Sequence, residues 1–179
     1  MWSSEVTNMI ITGIWETLYM TLVSTLVGYV IGLPMGIILT VSDKDGIKPN
    51  AVLYKILDVI ANIVRSVPFI ILLVLLIPFT RLVVGKSYGS TATIVPLVIA
   101  AAPYIARMVE SSLKEVDAGV IEAARSMGAS NFTIITKVML VEARTSLLVG
   151  ATITLGTILG YSAMSGAVGG GGLGARLCA

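Results

Sequence analysis

Long apolar stretches alternate with short polar ones along this chain. Residues 17–42 contain no charged side chain, and this run exceeds the roughly 20 residues that a helix needs to cross a bilayer. Three further apolar stretches follow, each separated from the last by turn-forming and charged residues. The pattern predicts four transmembrane helices, at about residues 14–42, 56–80, 88–109 and 145–165.

The composition agrees with a membrane location and excludes several other classes of protein. Hydrophobic residues make up 56% of the 179 residues and charged residues only 12%, whereas a typical soluble domain has about 25% charged residues. We therefore predict an all-α fold, a polytopic transmembrane helical bundle forming one domain over residues 1–179. A net charge of +2 is too small to indicate nucleic-acid binding. The chain has no histidine and a single cysteine, Cys178, so it cannot build a conventional Cys/His metal site.

The segment between the third and fourth predicted spans, about residues 110–144, is polar and keeps the periodicity of helices. Asp117 and Ser130 are favourable residues before the start of a helix, and Gly128 suits the left-handed residue that closes one. From spacing alone, three interpretations stay open. The segment is a docking element for a partner protein, a helix lying on the lipid surface, or a loop packed on its own chain.

Glycines recur every four residues in two of the predicted spans. Gly28, Gly32 and Gly36 share one face of the first span, and Gly156 and Gly160 share a face of the fourth. Such faces let two helices approach closely, which predicts a packing seam within the chain or between two copies. The alternative is that membrane helices are simply rich in glycine.

A few residues inside the spans are candidates for a transport pathway or gate. Arg65 is a charge inside the second span, which indicates a function by default, although its position also suits a side chain that snorkels to the headgroups. Pro68 follows it and frees a backbone carbonyl group. Tyr161, Ser162 and Met164 are polar or soft side chains in the fourth span, and core packing is an equally open role for them.

The distribution of lysine and arginine predicts the orientation in the membrane. Basic residues concentrate in the first loop and in the segment at residues 110–144, whereas the loop between spans two and three has only Arg81 and Lys86. Short loops that face the cytoplasm are the ones rich in basic residues. We therefore expect the polar segment to be cytoplasmic and the N-terminus to be outside.

The polar segment also carries a recognisable motif. Its residues are Glu122, Ala123, Ala124, Gly128, Val138 and Leu140. Their spacing resembles the EAA loop of permease subunits of ABC importers, whose pattern is E-A-A-x3-G-x9-I-x-L-P. Val141 stands where the pattern has proline, so we expect the second helix of the loop to end less sharply. Residues 65–81, 101–110 and 160–169 further resemble the permeases of methionine importers.

This resemblance implies a homodimeric permease of the inner or plasma membrane. An ABC ATPase subunit would dock on each EAA loop, where Glu122 and Arg125 offer charge-assisted contacts, and a methionine-binding protein or lipoprotein would deliver substrate outside. The permease itself would have no catalytic residue and no cofactor, because ATP-Mg acts on the partner ATPase. Two alternatives remain: an ABC permease for another amino acid, and a passive channel or scaffold without an ATPase.

The resemblance also implies a further membrane span. Permeases of this family ordinarily continue past the glycine-rich segment into a fifth span that ends inside, whereas this sequence ends at residues 175–179. From that difference we expect impaired assembly or transport for a chain of this length.

Overall fold

The computed structural model describes residues 4–178, and all regular structure in that range is helical. The helices follow one another with short connections. They are α1 (Ser4–Ser42), α2 (Ala51–Ser66), α3 (Phe69–Leu75), α4 (Ile77–Val84), α5 (Ser90–Lys114), α6 (Ala118–Ser126), α7 (Asn131–Thr133), a π-helix (Ile134–Met139), α8 (Leu140–Glu142), α9 (Arg144–Ser165), a 3-10 helix (Gly166–Val168) and α10 (Gly172–Cys178). The predicted all-α transmembrane class is confirmed.

Helix α5 is the centre of the bundle and packs against α1, α2, α3, α4 and α9. Leu97, Ile105 and Leu113 of α5 are at most 1% exposed and form the core with side chains of the surrounding helices. Pro96 and Pro103 lie inside α5, yet the helix continues through both. A core helix of this kind fixes the positions of the elements that carry the candidate site.

The most extensive contact between two helices in the described residues joins α1 to α5. A methyl group added at Gly32 would lie 2.6 Å from the carbonyl oxygen of Ala102, and one at Gly36 would lie 2.6 Å from that of Ala106. Because no side chain fits between the two backbones, α1 and α5 form one closely packed pair.

The second predicted span differs from the structure. The sequence predicts one kinked helix over residues 56–80, whereas α2 and α3 meet at an angle of 102° and α4 begins after a second break at Leu76. Pro68 explains the first break, since it disfavours a helical conformation at the preceding residue, and Val67 is extended. Within residues 4–178, three helical stretches are long and apolar enough to cross a membrane, or four if the bent pair counts as one.

The glycine-rich segment after α9 is held against the start of α5 and against α1. The backbone N–H of Gly89 donates to the carbonyl oxygen of Gly169 at 3.0 Å, and Thr93 Oγ1 donates to that of Gly170 at 3.0 Å. Glu16 of α1 accepts from the backbone N–H of Gly172 at 2.8 Å. The segment therefore has a defined path on the bundle.

Candidate functional site

Helix α6 forms the body of the predicted EAA motif and is closed at both ends. Asp117 is its N-cap, and its Oδ1 accepts from the backbone N–H of Gly119 at 2.7 Å. At the other end Gly128 has a φ of +81°, a left-handed conformation that suits glycine, and its N–H donates to the carbonyl of Arg125. Ser130 then caps the next helix by accepting from Thr133 N–H at 3.3 Å. These three expectations from the sequence are confirmed.

One face of α6 lies against the bundle and the rest is open. Ala124 is only 6% exposed and joins the hydrophobic core, whereas Glu122, Ala123 and Arg125 are exposed. Beyond the end of the helix, Met127 is 82% exposed. The structure thus presents a short helix with small and charged side chains outward and a large apolar side chain at its tip.

Arg125 connects this helix to the first loop of the chain. Its guanidinium donates to the carbonyl oxygen of Ile47 at 3.2 Å. A cavity of about 420 Å³ separates the two segments, and Glu122 and Arg125 line it from the α6 side while Asp43 and Asp45 line it from the loop. The loop is therefore a neighbour of the EAA motif in space.

The last residues of the motif fall on and beside the π-helix. Val138 lies within Ile134–Met139, Leu140 begins α8, and both are half-buried against the core. The segment at residues 110–144, for which the sequence predicts helices, is mostly helical, and α5 itself extends to Lys114. At Val141, where proline is usual, the helix continues, and its break comes two residues later at Ala143.

A buried carboxylate that sequence reasoning missed lies next to this segment. Glu110 of α5 is 4% exposed and accepts hydrogen bonds from three side chains. Tyr54 Oη lies 3.2 Å from its Oε1, Lys114 Nζ 2.8 Å from the same oxygen, and Arg107 Nη1 2.7 Å from its Oε2. The charge of the carboxylate is thereby fully matched by donors on α2 and α5.

The same network reaches α2 and the first loop. Arg107 also forms an ion pair with Asp58 and donates to Asn62 Oδ1 at 3.1 Å, and Lys114 also pairs with Asp43 at 2.7 Å. The hydrogen bond from Lys114 lowers the pKa of Asp43 from its ordinary value. A signal for this network exists in the sequence, because Tyr54, Asp58 and Asn62 recur every four residues and form one polar stripe on α2.

The two glycine faces have different environments. Gly28, Gly32 and Gly36 of α1 all contact α5, as described above. A methyl group at Gly156 or Gly160 would meet no atom within 4 Å among the described residues. The first face is thus used inside the chain, and the second faces outward from it.

Only two of the five candidate pathway residues meet in one cavity. Arg65 and Tyr161 both line a cavity of about 170 Å³, and Pro68 lies at the bend beside it. Ser162 is buried and donates to the carbonyl of Leu159 at 2.7 Å, while Met164 is 49% exposed elsewhere on α9. In residues 4–178 no group of three or more potential metal ligands comes together.

A family model and curated relatives both match most of this chain. Residues 32–178 match the family model described as binding-protein-dependent transport system inner membrane component. The chain is 57% identical over 158 residues to the D-methionine transport system permease protein MetI of Escherichia coli (strain K12), an alignment that covers 88% of this chain and 73% of the relative. It is 49% identical over 173 residues to the probable D-methionine transport system permease protein MetI of Vibrio cholerae serotype O1, covering 97% and 77%.

Solved structures resemble the fold closely. A crystal form of the MetNI methionine ABC transporter in inward-facing conformations has a TM-score of 0.95 and 55% identity, and covers 97% of this chain and 81% of that one. The crystal structure of an amino acid ABC transporter with histidines has a TM-score of 0.77 at 24% identity, covering 96% and 77%, and supports the fold alone.

Proposed function

Because the chain belongs to the family of binding-protein-dependent transport system inner membrane components, we propose that it is the permease subunit of an ATP-driven methionine importer. It is a multi-pass membrane protein. Two copies form the translocation pathway, a separate ABC ATPase hydrolyses ATP-Mg, and an external binding protein delivers the substrate. The permease catalyses no reaction of its own.

The observation that carries this proposal is the shape of α6. It is a capped helix that exposes Glu122, Ala123 and Arg125 and is fixed to the bundle by the buried side chain of Ala124. Small side chains let such a helix enter a groove on a partner, and the two charged groups can pair with charges on its walls. The exposed Met127 at the tip adds an apolar contact.

The orientation follows from the same proposal. An ATPase is cytoplasmic, so α6 faces the cytoplasm and the start of α1 lies outside, as the distribution of lysine and arginine also indicates. The contact of Arg125 with the carbonyl of Ile47 then joins two cytoplasmic segments, so a movement of α6 on its partner also acts on the first loop.

Substitution of Gly128 tests ATPase docking. Valine at a φ of +81° costs roughly 1–2 kcal/mol in the left-handed region and disturbs the end of α6. We expect Gly128→Val to reduce co-purification of the ATPase subunit about ten-fold. Gly128→Asn is the matched control, since asparagine tolerates this conformation and should retain most of the complex. Unchanged co-purification with Gly128→Val would favour a passive scaffold instead.

The substrate requires a separate measurement. Uptake of labelled methionine into proteoliposomes that hold the permease, the ATPase and the binding protein should be suppressed by unlabelled methionine. Preferential suppression by another amino acid would assign the permease to that substrate.

A further inference from the structure

Arg65 is an exposed cation that lines a cavity of about 170 Å³ and has no counter-ion among the side chains that the structure describes. No carboxylate in that part of the chain lies within ion-pair distance of it. Its one recorded contact is with the ring of Tyr104, 5.9 Å from the guanidinium carbon. An unpaired cation within membrane-spanning structure indicates a function and a missing anionic partner.

The depth of Arg65 follows from its neighbour on α5. Tyr104 lies roughly 21 Å along the helix from Ser90 and roughly 15 Å from Lys114, at 1.5 Å per residue. This is the middle third of the helix rather than either end. A side chain that snorkels to headgroups reaches toward an end of the bundle, whereas the exposed Arg65 lies over a half-buried ring at the middle of the central helix. The contact favours a role at the cavity that Arg65 and Tyr104 line together.

The other walls of the cavity at Arg65 are apolar and aromatic. Phe69 and Tyr161 stack with ring centroids 4.6 Å apart and an interplanar angle of 4°, and Leu72 lies beside them. The bend at Pro68 brings α3 across to α9 and so creates this wall opposite the guanidinium. One end of the cavity is cationic, and the other suits an unbranched apolar chain.

We propose that Arg65 binds the carboxylate of the transported amino acid during its passage, while the wall formed by Phe69, Leu72 and Tyr161 receives its apolar side chain. This inference rests on the proposed function as a permease. A guanidinium binds a carboxylate through two parallel hydrogen bonds, which sets the orientation of the substrate as well as its position. A thioether contacts aromatic rings favourably, so methionine matches both ends of the cavity.

Transport by the reconstituted importer tests this site. Loss of a charge-assisted contact reduces binding by roughly ten-fold or more, so Arg65→Gln should lower the maximal uptake rate at least ten-fold. The methionine concentration for half-maximal uptake should stay unchanged, because the external binding protein sets it. Arg65→Lys retains the positive charge but cannot form two parallel hydrogen bonds to a carboxylate, so its maximal uptake rate should be intermediate. Arg81→Gln, which changes an exposed arginine of α4, is the matched control and should transport normally.

Basal ATP hydrolysis and ATPase co-purification separate this inference from the proposed function. Both should be normal in Arg65→Gln. Normal uptake by that variant would overturn the carboxylate site and leave the permease function intact. A wild-type chain that neither binds an ATPase nor transports methionine would overturn the proposed function itself.

A binding measurement excludes a purely structural role for Arg65. In the purified permease–ATPase complex without binding protein, methionine should raise the melting temperature of the wild-type permease, and methioninamide, which lacks the carboxylate, should not. Arg65→Gln should abolish the methionine response. A variant that melts at a lower temperature but keeps the full response to methionine would show that Arg65 only stabilises the fold, and would refute the proposal.

Discussion

Replacement of Glu110 by alanine is expected to destabilise the permease and to weaken the connection between the first loop, α2 and α5. The substitution removes an acceptor of three hydrogen bonds from a position that is 4% exposed. It also leaves Arg107 and Lys114 with one carboxylate partner each, Asp58 and Asp43. The variant therefore retains part of the network but not its centre.

The size of the effect follows from these contacts. Removing one partner of a buried ion pair costs about 3–5 kcal/mol. The remaining carboxylates and the 41% exposure of the Lys114 side chain reduce that figure to about 2–3 kcal/mol. For a chain of this length, such a loss lowers the melting temperature by about 4–12 °C. Glu110→Gln keeps one acceptor oxygen in place and should lose about half as much.

Thermal unfolding of the detergent-solubilised chain measures this loss, with Glu115→Ala as control. Glu115 is exposed and has no recorded side-chain partner in residues 4–178, so its removal should change stability by less than about 0.5 kcal/mol. In proteoliposomes, Glu110→Ala should also transport less methionine per ATP hydrolysed. Equal melting temperatures for the two alanine variants would refute the view that this network stabilises the bundle.

Two further predictions concern the helix seam and the first loop. Gly32→Ala places a methyl group 2.6 Å from the carbonyl oxygen of Ala102 and should lower the free energy of unfolding by about 1–3 kcal/mol. Gly160→Ala is the control, because its methyl group meets no described atom within 4 Å and should not lower that free energy. Equal thermal stabilities of the two variants would contradict the close contact. The lowered pKa of Asp43, caused by its hydrogen bond from Lys114, contributes stability above about pH 4 that is lost as pH falls through the lowered value. Melting curves from pH 7 to pH 3 should therefore fall less steeply for Asp43→Asn, and identical slopes would count against the ion pair.

Local chemistry makes part of the site predictable from the sequence. Asp117, Gly128 and Ser130 each act within four residues of their own position, as caps and as a left-handed helix end, and all three behave as expected. Such rules depend only on the backbone near the residue. For this reason the helix boundaries around the EAA motif can be placed from residue types and spacing.

Long-range contacts are not predictable in the same way. Glu110 and Tyr54 are 56 positions apart, and the polar stripe on α2 indicates that Tyr54 has polar partners but not that Glu110 is one of them. The angle between α2 and α3 at Pro68 also cannot be predicted from nearby residues. A proline predicts that the helix is interrupted, but the packing of α3 on α5 and α9 sets the angle. Sequence spacing also gives Gly32 and Gly160 the same expected role, although only Gly32 contacts another helix of the chain among the described residues.

The π-helix at Ile134–Met139 has a consequence for how sequences of this family diverge. A π turn holds one more residue than an α turn, and each residue of an α-helix rotates the following positions by about 100°. A one-residue deletion there would convert the π turn into an α turn and leave the direction in which the side chains of α8 point nearly unchanged, whereas a deletion in a neighbouring α turn would rotate them by about 100° relative to α7. A single-residue deletion should therefore be tolerated better at these six positions than in the α-helical turns on either side.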